Sequence, residues 1–556
     1  MPGTLDPLVF AKARTAEVLL LKKEIQDGEF RGARRVFQTL SRSMRRRAAS
    51  YNIRRLPVRL RQKALDEAAK DPSTVQKAIK KPPCRRRRRR MGDIAKNFES
   101  RMTSKRWLET HLWHAKRAKM DNLWGYRIAV RSNEKCRKSC IRASVAKCFL
   151  YDSSYHEIVQ FSHPFGEFLE MIEPHISAKI HANSTTLGHF FWNTDLSHNG
   201  IIIGPAKLIL TVQEGLPILR AIVHPLISSR IQVLLPQATV VRGEYSMFEL
   251  EGSQSPEFLS CILSMQFKYP QVCSSNIYEW SCKDPRFAFP QKLTDRREPC
   301  DSDLTSIDGD FWSKSGSVHR KSQKEINDLL SLHTIPGTKL QPTEADPRMP
   351  VLLIFETMEQ IIRRKHHRVT VIVPKGWGSA LWRSLIFAGA RFGGLEERQA
   401  VDAEHGRPVF PNDYPSSSAY LPYSEKLFKE LEDKWNRRPP AKRINYSRLG
   451  IQQPFRIDLS LLGENCKICR LECTGRGVPE WNGRVFIDGQ LVGFITTGFY
   501  SQTHGKGIAF ATCAIQNLPI PTQQPTDPIQ QLTCPIQVSI SGFEGPHRSA
   551  IITKIF

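Results

Sequence analysis

The chain predicts an α+β protein in three parts: a basic arm of short helices and extended segments, a central mixed α/β body, and a small C-terminal β-barrel. Three observations carry this. The first 150 of 556 residues hold 40 Lys+Arg against 13 Asp+Glu, a net of +27, while residues 151–556 hold 42 against 41. Between residues 140 and 270, β-like runs such as IIIGPAKLILTV and RIQVLLPQATVV alternate with turn residues, as an antiparallel sheet with inserted helices would. The last hundred residues read as short strands separated by glycine turns. The expected divisions are an arm at 1–103, the first part of the body at 104–290, an exposed insertion at 291–347, a β-turn-α domain at 348–445 and the barrel at 446–556.

Asp6-Pro7 before Leu8, Phe10, Ala11, Val18, Leu21 and Ile25 predicts a capped helix with proline at its first position, ending near Gly28. Phe37, Leu40 and Met44 recur at helical spacing under a cationic surface of Arg34, Arg35, Arg42, Arg45 and Arg46. A short helix is expected from Pro57 to Lys70. Residues 71–92 read as linker, because Arg85 to Arg90 repel one another and order only against a counter-charge. From Lys105, KRWLETHLWHAKRAKMDNLWGYRIA predicts a helix with Trp107, Thr110, His111, His114 and Ala118 on one face and Gly125 at its exit. Residues 291–347 are polar and lack periodicity. Strands are expected at Pro350–Phe355 and Arg368–Val373, then a turn at 374–378 and a helix around Ala380 to Ala390. After NRRPPAKR (436–443), the barrel strands are CKICRLEC, RVFIDG, QLVGFITTG, GIAFATCAI, PIQVSI and AIITKIF.

Charge segregated this sharply points to a polyanion, since neutralised phosphates release counterions and drive association. Nucleic acid is the leading partner; an anionic membrane surface and a merely solvated tail are the alternatives. No run of 18 apolar residues occurs and the N-terminus lacks the pattern of a secretory signal, so an intracellular protein without a membrane span is expected. Thirteen scattered cysteines suggest reduced thiols. The run from Lys80 to Arg90 suits nuclear import and RNA binding equally. Candidate RNA contacts in the arm are Arg34, Arg35, Arg45, Arg46, Arg47, Asn52, Arg54, Arg55, Arg59, Arg61, Arg85, Arg86, Arg87, Arg88, Arg89 and Arg90. Beyond it they are Lys105, Arg106, Trp107, His111, His114, Lys116, Arg117, Arg437, Arg438, Lys442 and Arg443. Trp107, Trp113, Trp124 and Tyr126 either stack on unpaired bases or anchor the segment in a core.

No metal site is expected. His111 and His114 lack a third ligand at matching spacing, and Cys466, Cys469 and Cys473 lack an evident fourth and alternate like a strand. Lys375-Gly-Trp-Gly378 before a helix is either an anion pocket or a tight turn stapled by Trp377; it does not have phosphate-loop spacing. No G-x-S-x-G, H-E-x-x-H or paired-carboxylate signature occurs, so no self-contained catalytic centre is visible.

Three blocks resemble one family, the largest protein subunit (Pop family) of nuclear ribonuclease P and ribonuclease MRP. They are FAKARTAEV (10–18) with RRAASYNIRRLPVRLR (46–61) and the arginine run; KRWLETHLWHAKRAKMDNLWGYRIA (105–129); and MPVLLIFE (349–356) through HHRVTVIVPKGWGSALWRSLIFAGARFGG (366–394) to RRPPAKRINY (437–446). The resemblance implies a non-catalytic RNA-binding scaffold in a ribonucleoprotein endonuclease whose RNA cleaves with Mg2+. It implies precursor tRNA 5′-leader removal, precursor rRNA processing by the MRP form, and a nuclear and nucleolar location. The implied partners are ribonuclease P RNA, MRP RNA, smaller protein subunits and, indirectly, precursor tRNA, with no cofactor in the protein itself and no membrane. WNGRVFIDGQLVGFITTGFYSQTHGKGIAFA (481–511) and FELEG (248–252) are similar to the glycine-cleavage T-protein group, which implies that scaffold for the body. The alternative function is then a folate-dependent aminomethyltransferase with a basic nuclear-import tail.

Overall fold

A computed structural model describes residues 6–29, 36–38, 40, 52–70, 102, 105–162, 190–198, 201–213, 216–235, 237–263, 277–287, 311–312, 321–331, 346–357, 367–448, 454–463, 466–514, 530–541 and 548–555. The chain divides into two units, Met1–Asn97 and Phe98–Phe556.

In the first unit the helix Pro7–Glu29 begins as its sequence dictates: the Asp6 carboxylate accepts the Leu8 N–H at 2.9 Å, and Pro7 takes the first helical position, where no N–H is needed. A one-turn 3₁₀ segment, Ile53–Arg55, is capped by Asn52, and the helix Val58–Ala69 follows Pro57. Leu40, Val36, Leu56 and Ala64 make a small core, and Glu67 accepts the Val36 N–H at 2.8 Å. Met44 and the arginine run lie outside the described residues.

The second unit is layered. Its six-stranded sheet runs Ile277–Cys282, Met349–Thr357, His367–Pro374, Tyr245–Glu251, Phe149–Asp152, Arg391–Phe392; all pairs are antiparallel except the last. Residues 349–374 were expected to open a separate domain, but they supply strands inside this sheet, paired directly with Tyr245–Glu251 and Ile277–Cys282. The reason is their unbroken apolarity. Val351, Leu353, Val369, Val371 and Val373 face a core closed by the helices Ser255–Leu263 and Gly378–Ala388, while Leu352, Ile354 and Ile372 face the opposite core. A strand apolar at successive positions needs cover on both faces, which a lone β-turn-α unit does not supply.

The cover on the second face is a five-stranded antiparallel sheet, ordered Phe190–His198, Ile201–Gln213, Leu216–Val223, Glu157–Ser162, Thr239–Val241. Ile158, Ile209 and Ile222 contribute to the shared core, and the helix Pro225–Leu234 lies on the outer face against Val159, Phe161, Leu208 and Leu210. Residues 140–270 thus divide between two sheets. Phe311, within the stretch expected to be wholly exposed, is completely buried between them, and Trp312 packs on Tyr245.

The C-terminal segment closes into a six-stranded barrel in the order Cys466–Cys473, Gly507–Ala514, Gln490–Tyr500, Arg484–Ile487, Gln530–Ser541, Arg548–Ile555. All six expected strands are present. Cys469, Leu471, Val485, Ile495, Ala511 and Ile552 fill its interior.

Candidate nucleic-acid interface

The block at 105–132 folds differently from its expected single helix. Arg106–Trp107 pairs in parallel with Tyr126–Arg127, one helical turn spans His111–His114, and Ala118–Leu123 with Tyr126–Ser132 form an antiparallel hairpin. Helical spacing holds only as far as His114. From Ala118 exposure alternates at first, with Ala118 buried and Lys119 exposed, and across the turn Tyr126 and Ile128 are buried. Trp124 and Gly125 both adopt the left-handed region, φ 54° and 80°, forming the two-residue turn that the twist of a hairpin favours. Gly125 is therefore a hairpin turn, not a helix exit.

This folding directs the aromatic and imidazole groups inward. Trp107 stacks on His111 at 4.1 Å, and Trp113 packs edge-on against Trp382 and Phe392. Trp124 meets Tyr155 and His224, and the Tyr126 hydroxyl donates to Glu157 at 3.2 Å. The buried Asp152 carboxylate takes His114 Nε2 at 3.0 Å, the Ser154 hydroxyl at 2.6 Å and the Thr110 hydroxyl. Burial alone would raise the Asp152 pKa, but these hydrogen bonds outweigh it and hold the carboxyl below its ordinary value. Burial, then the Arg127 and His114 charges, push His111 down to about 4. In this fold His111 and His114 are buried, and the half-buried Trp107 packs on His111. Among the described residues no group of three or more His, Cys, Asp or Glu is arranged to hold a metal.

The cations point outward. Arg106, Lys116 and Arg117 are exposed and Lys105 is half-buried; Arg117 lies over the Trp113 ring at 4.4 Å. In the first unit Arg54, Arg55 and Arg59 are exposed, whereas Arg61 bonds the carbonyls of Leu56 and Arg54, both at 3.0 Å, and Asn52 caps a turn. Arg34, Arg35, Arg45, Arg46, Arg47 and Arg85 to Arg90 lie outside the described residues. At the far end of the helix Tyr420–Asn436, Arg437, Arg438 and Lys442 are exposed, and Arg443 lies over Trp435 while donating to the Arg438 carbonyl at 2.8 Å.

Two features escaped the sequence reading. One is Glu109, whose carboxylate accepts the Gly376 N–H at the turn 374–378; the buried Trp377 there matches the stapled-turn alternative. Deep in the body, Lys207, Arg368, Arg398 and Arg407 interleave with Glu249, Glu251, Glu356 and Asp402. Glu249 alone meets Arg398 at 2.7 Å, Arg368 at 3.0 Å and Lys207 at 3.1 Å, and Lys207 meets Glu356 at 2.6 Å. Burial opposes ionisation of Glu249, but the surrounding cations hold its carboxyl well below the usual range. The residues are scattered over 200 positions, and charge alternation at strand spacing, as in Glu249 and Glu251, is the only local signal.

Sequence comparison bears on this arrangement. The pattern described as "Ribonucleases P/MRP protein subunit POP1, N-terminal" matches residues 10–100 and 86–164, and that of the "POPLD (NUC188) domain" matches 368–459. The ribonucleases P/MRP protein subunit POP1 of Homo sapiens is 24% identical over 611 residues, covering 82% of this chain. Its Schizosaccharomyces pombe counterpart is 26% identical over 563 residues, covering 84%. The chain is similar to the POP1 family over both ends of its body. It spans 59% of the human POP1 protein and 78% of the fission-yeast one. A further likeness lies elsewhere: an aminomethyltransferase of Shouchella clausii is 27% identical over 161 residues, 27% of this chain and 39% of that protein. The glycine cleavage system aminomethyltransferase T of Bartonella henselae superposes with a TM-score of 0.44 at 12% identity, covering 81% of this chain and 97% of that one.

Proposed function

We propose that this chain is a non-catalytic RNA-binding scaffold of ribonuclease P and ribonuclease MRP, which holds the fold of the catalytic RNA and seats smaller protein subunits. The single observation that carries the reading is the confinement of a +27 charge to the first 150 residues, the region that matches the POP1 N-terminal pattern. Guanidinium groups replace diffuse counterions on RNA and grip phosphate bidentately, so distant RNA segments are held in one geometry. The near-neutral remainder is the body on which protein subunits assemble. Precursor tRNA 5′-leader removal and precursor rRNA processing are then chemistry of the RNA and its Mg2+, in the nucleus and nucleolus.

Sequencing the RNA that co-purifies with the tagged chain from cells tests this: ribonuclease P RNA and MRP RNA should dominate, and their absence would sink the reading. Cleavage of precursor tRNA by the purified chain with magnesium and no RNA subunit would overturn its non-catalytic part. A second reading, a folate-dependent aminomethyltransferase, is favoured by the similarity over 27% of the chain. Against it stands the body's interior, where Lys207, Arg368, Arg398 and Arg407 pair with Glu249, Glu251, Glu356 and Asp402. Calorimetry with tetrahydrofolate decides: measurable binding revives that reading, and none retires it.

A further inference from the structure

We propose that the hairpin Ala118–Leu123/Tyr126–Ser132 and the neighbouring helix Arg137–Ala146 form a second RNA site, on the folded body, that grips the backbone of a double-stranded RNA segment. The inference rests on the RNA-binding reading above but concerns residues outside the arm and, Arg117 apart, outside the candidate contacts read from sequence.

Residues 105–150 hold 12 Lys+Arg against three Asp+Glu. One of the three acids, Glu109, is turned to the Gly376 N–H; the other two meet cations of their own, Asp121 with Lys426 at 3.8 Å and Glu134 with Arg391 at 3.4 Å. The surplus is therefore fixed on the surface of a folded element. Its arrangement works against the protein's own stability. Lys119 and Arg131 are directly opposed across the hairpin and both exposed, so their side chains leave the same face with like charge, an unfavourable cross-strand pair. Among the described residues Arg131 meets one carboxylate, the exposed Glu396 at 3.8 Å. The ladder continues one step further, with the Asn133 N–H donating to the Arg117 carbonyl at 2.8 Å, which sets a third cation beside the pair; its guanidinium rests on Trp113. The adjacent helix has no acid in its first turn and exposes Arg137, Lys138 and Arg142. A phosphate backbone relieves every one of these repulsions.

The aromatic groups say which form of RNA fits. Single strands are held by stacking unpaired bases on aromatic faces, yet Trp107, Trp113, Trp124 and Tyr126 are all engaged within the protein. What remains on the surface is cations at fixed separations on rigid elements, which suits the regular phosphate spacing of an A-form helix, recognised by shape.

The test uses the full chain, a labelled RNA duplex of about 20 base pairs and one of its strands alone. Lys119→Ala with Arg131→Ala should lower duplex affinity about tenfold at low salt and flatten the log–log salt dependence by about 2, one per lost phosphate contact. Single-strand affinity should change less, and the thermal midpoint should hold or rise because a repulsion is gone. Arg137→Ala with Lys138→Ala, on the helix, should weaken the duplex in the same way. Unchanged duplex affinity in both variants overturns the site. So does an equal loss for the two probes, or competition by polyglutamate as strong as by duplex, which would mark an acidic protein as the occupant. Replacing Arg85 to Arg90 with alanine separates the two claims: if that abolishes binding while the hairpin variant binds normally, this site falls and the RNA-binding reading stands. A parent chain that binds neither probe sinks both.

Discussion

Glu249→Gln removes one carboxylate from a buried set of four cations and four anions, leaving Lys207, Arg368, Arg398 and Arg407 facing three. Breaking a buried pair by deleting one partner costs about 3–5 kcal/mol, because the surviving charge stays out of water unpaired. Glu249 meets three cations at 2.7–3.1 Å, but each has another carboxylate within reach: Glu356 for Lys207 and Arg368, and Glu251 and Asp402 for Arg398. The expected cost is therefore at the lower end, about 3 kcal/mol. Urea unfolding followed by tryptophan fluorescence reports on it directly, since Trp377 and Trp382 are buried in this body. A second substitution, Lys207→Met, restores the balance and should recover part of the loss. The same carboxylate sets a pH dependence. Its folded pKa lies well below that of an unfolded glutamate, so its contribution is fully present above about 4.3 and is lost as pH falls toward the folded value; the variant should lack that component. A change under about 1 kcal/mol would refute the reasoning that losing this carboxylate leaves a buried cation uncompensated.

Three further outcomes follow from the geometry. His111 titrates near 4 when folded and near 6.5 when unfolded, so its stabilising effect is full above about 6.5 and declines toward pH 4; a pH series of unfolding midpoints should be flatter for His111→Gln. Phe311→Ala empties a fully buried ring site between the sheets and should cost about 3–5 kcal/mol by chemical denaturation, whereas an exposed insertion would show almost nothing. Gly125→Ala forces a side chain onto φ 80° and should cost about 1–2 kcal/mol in the same assay, with no steric contribution because nothing lies within 4 Å of the added Cβ.

Much of the fold was readable because its signals are local. Asp6-Pro7, Pro57 and the glycine-punctuated strands of the barrel state their structure within a few residues, and each element is found where they put it. What was misread depends on distant partners. Val351 to Ile354 and Val369 to Val373 look the same whether they begin a new domain or fill a sheet whose other strands lie a hundred residues earlier. At 105–125 a true helical turn at His111–His114 was extended through a stretch whose hairpin turn, Trp124-Gly125, has tryptophan where asparagine or aspartate is the recognisable signal. The exposed cations were legible from composition alone. Whether a histidine or tryptophan beside them faces RNA or the core was not, because that is decided by Asp152, Trp382 and Phe392, remote in sequence.

The six-stranded sheet carries a consequence for biosynthesis. Glu251 finds its cross-strand neighbour, Arg368, only 117 positions later, and Phe149 waits longer still for Arg391. At about 5–20 residues per second, roughly 6–23 s separate translation of the first pair of partners. During that interval the strand Tyr245–Glu251 has only Phe149–Asp152 to pair with, and its other edge stays open. A nascent chain of this design exposes an unpaired sheet edge until residues 367–374 are made, an interval that follows from strand order alone.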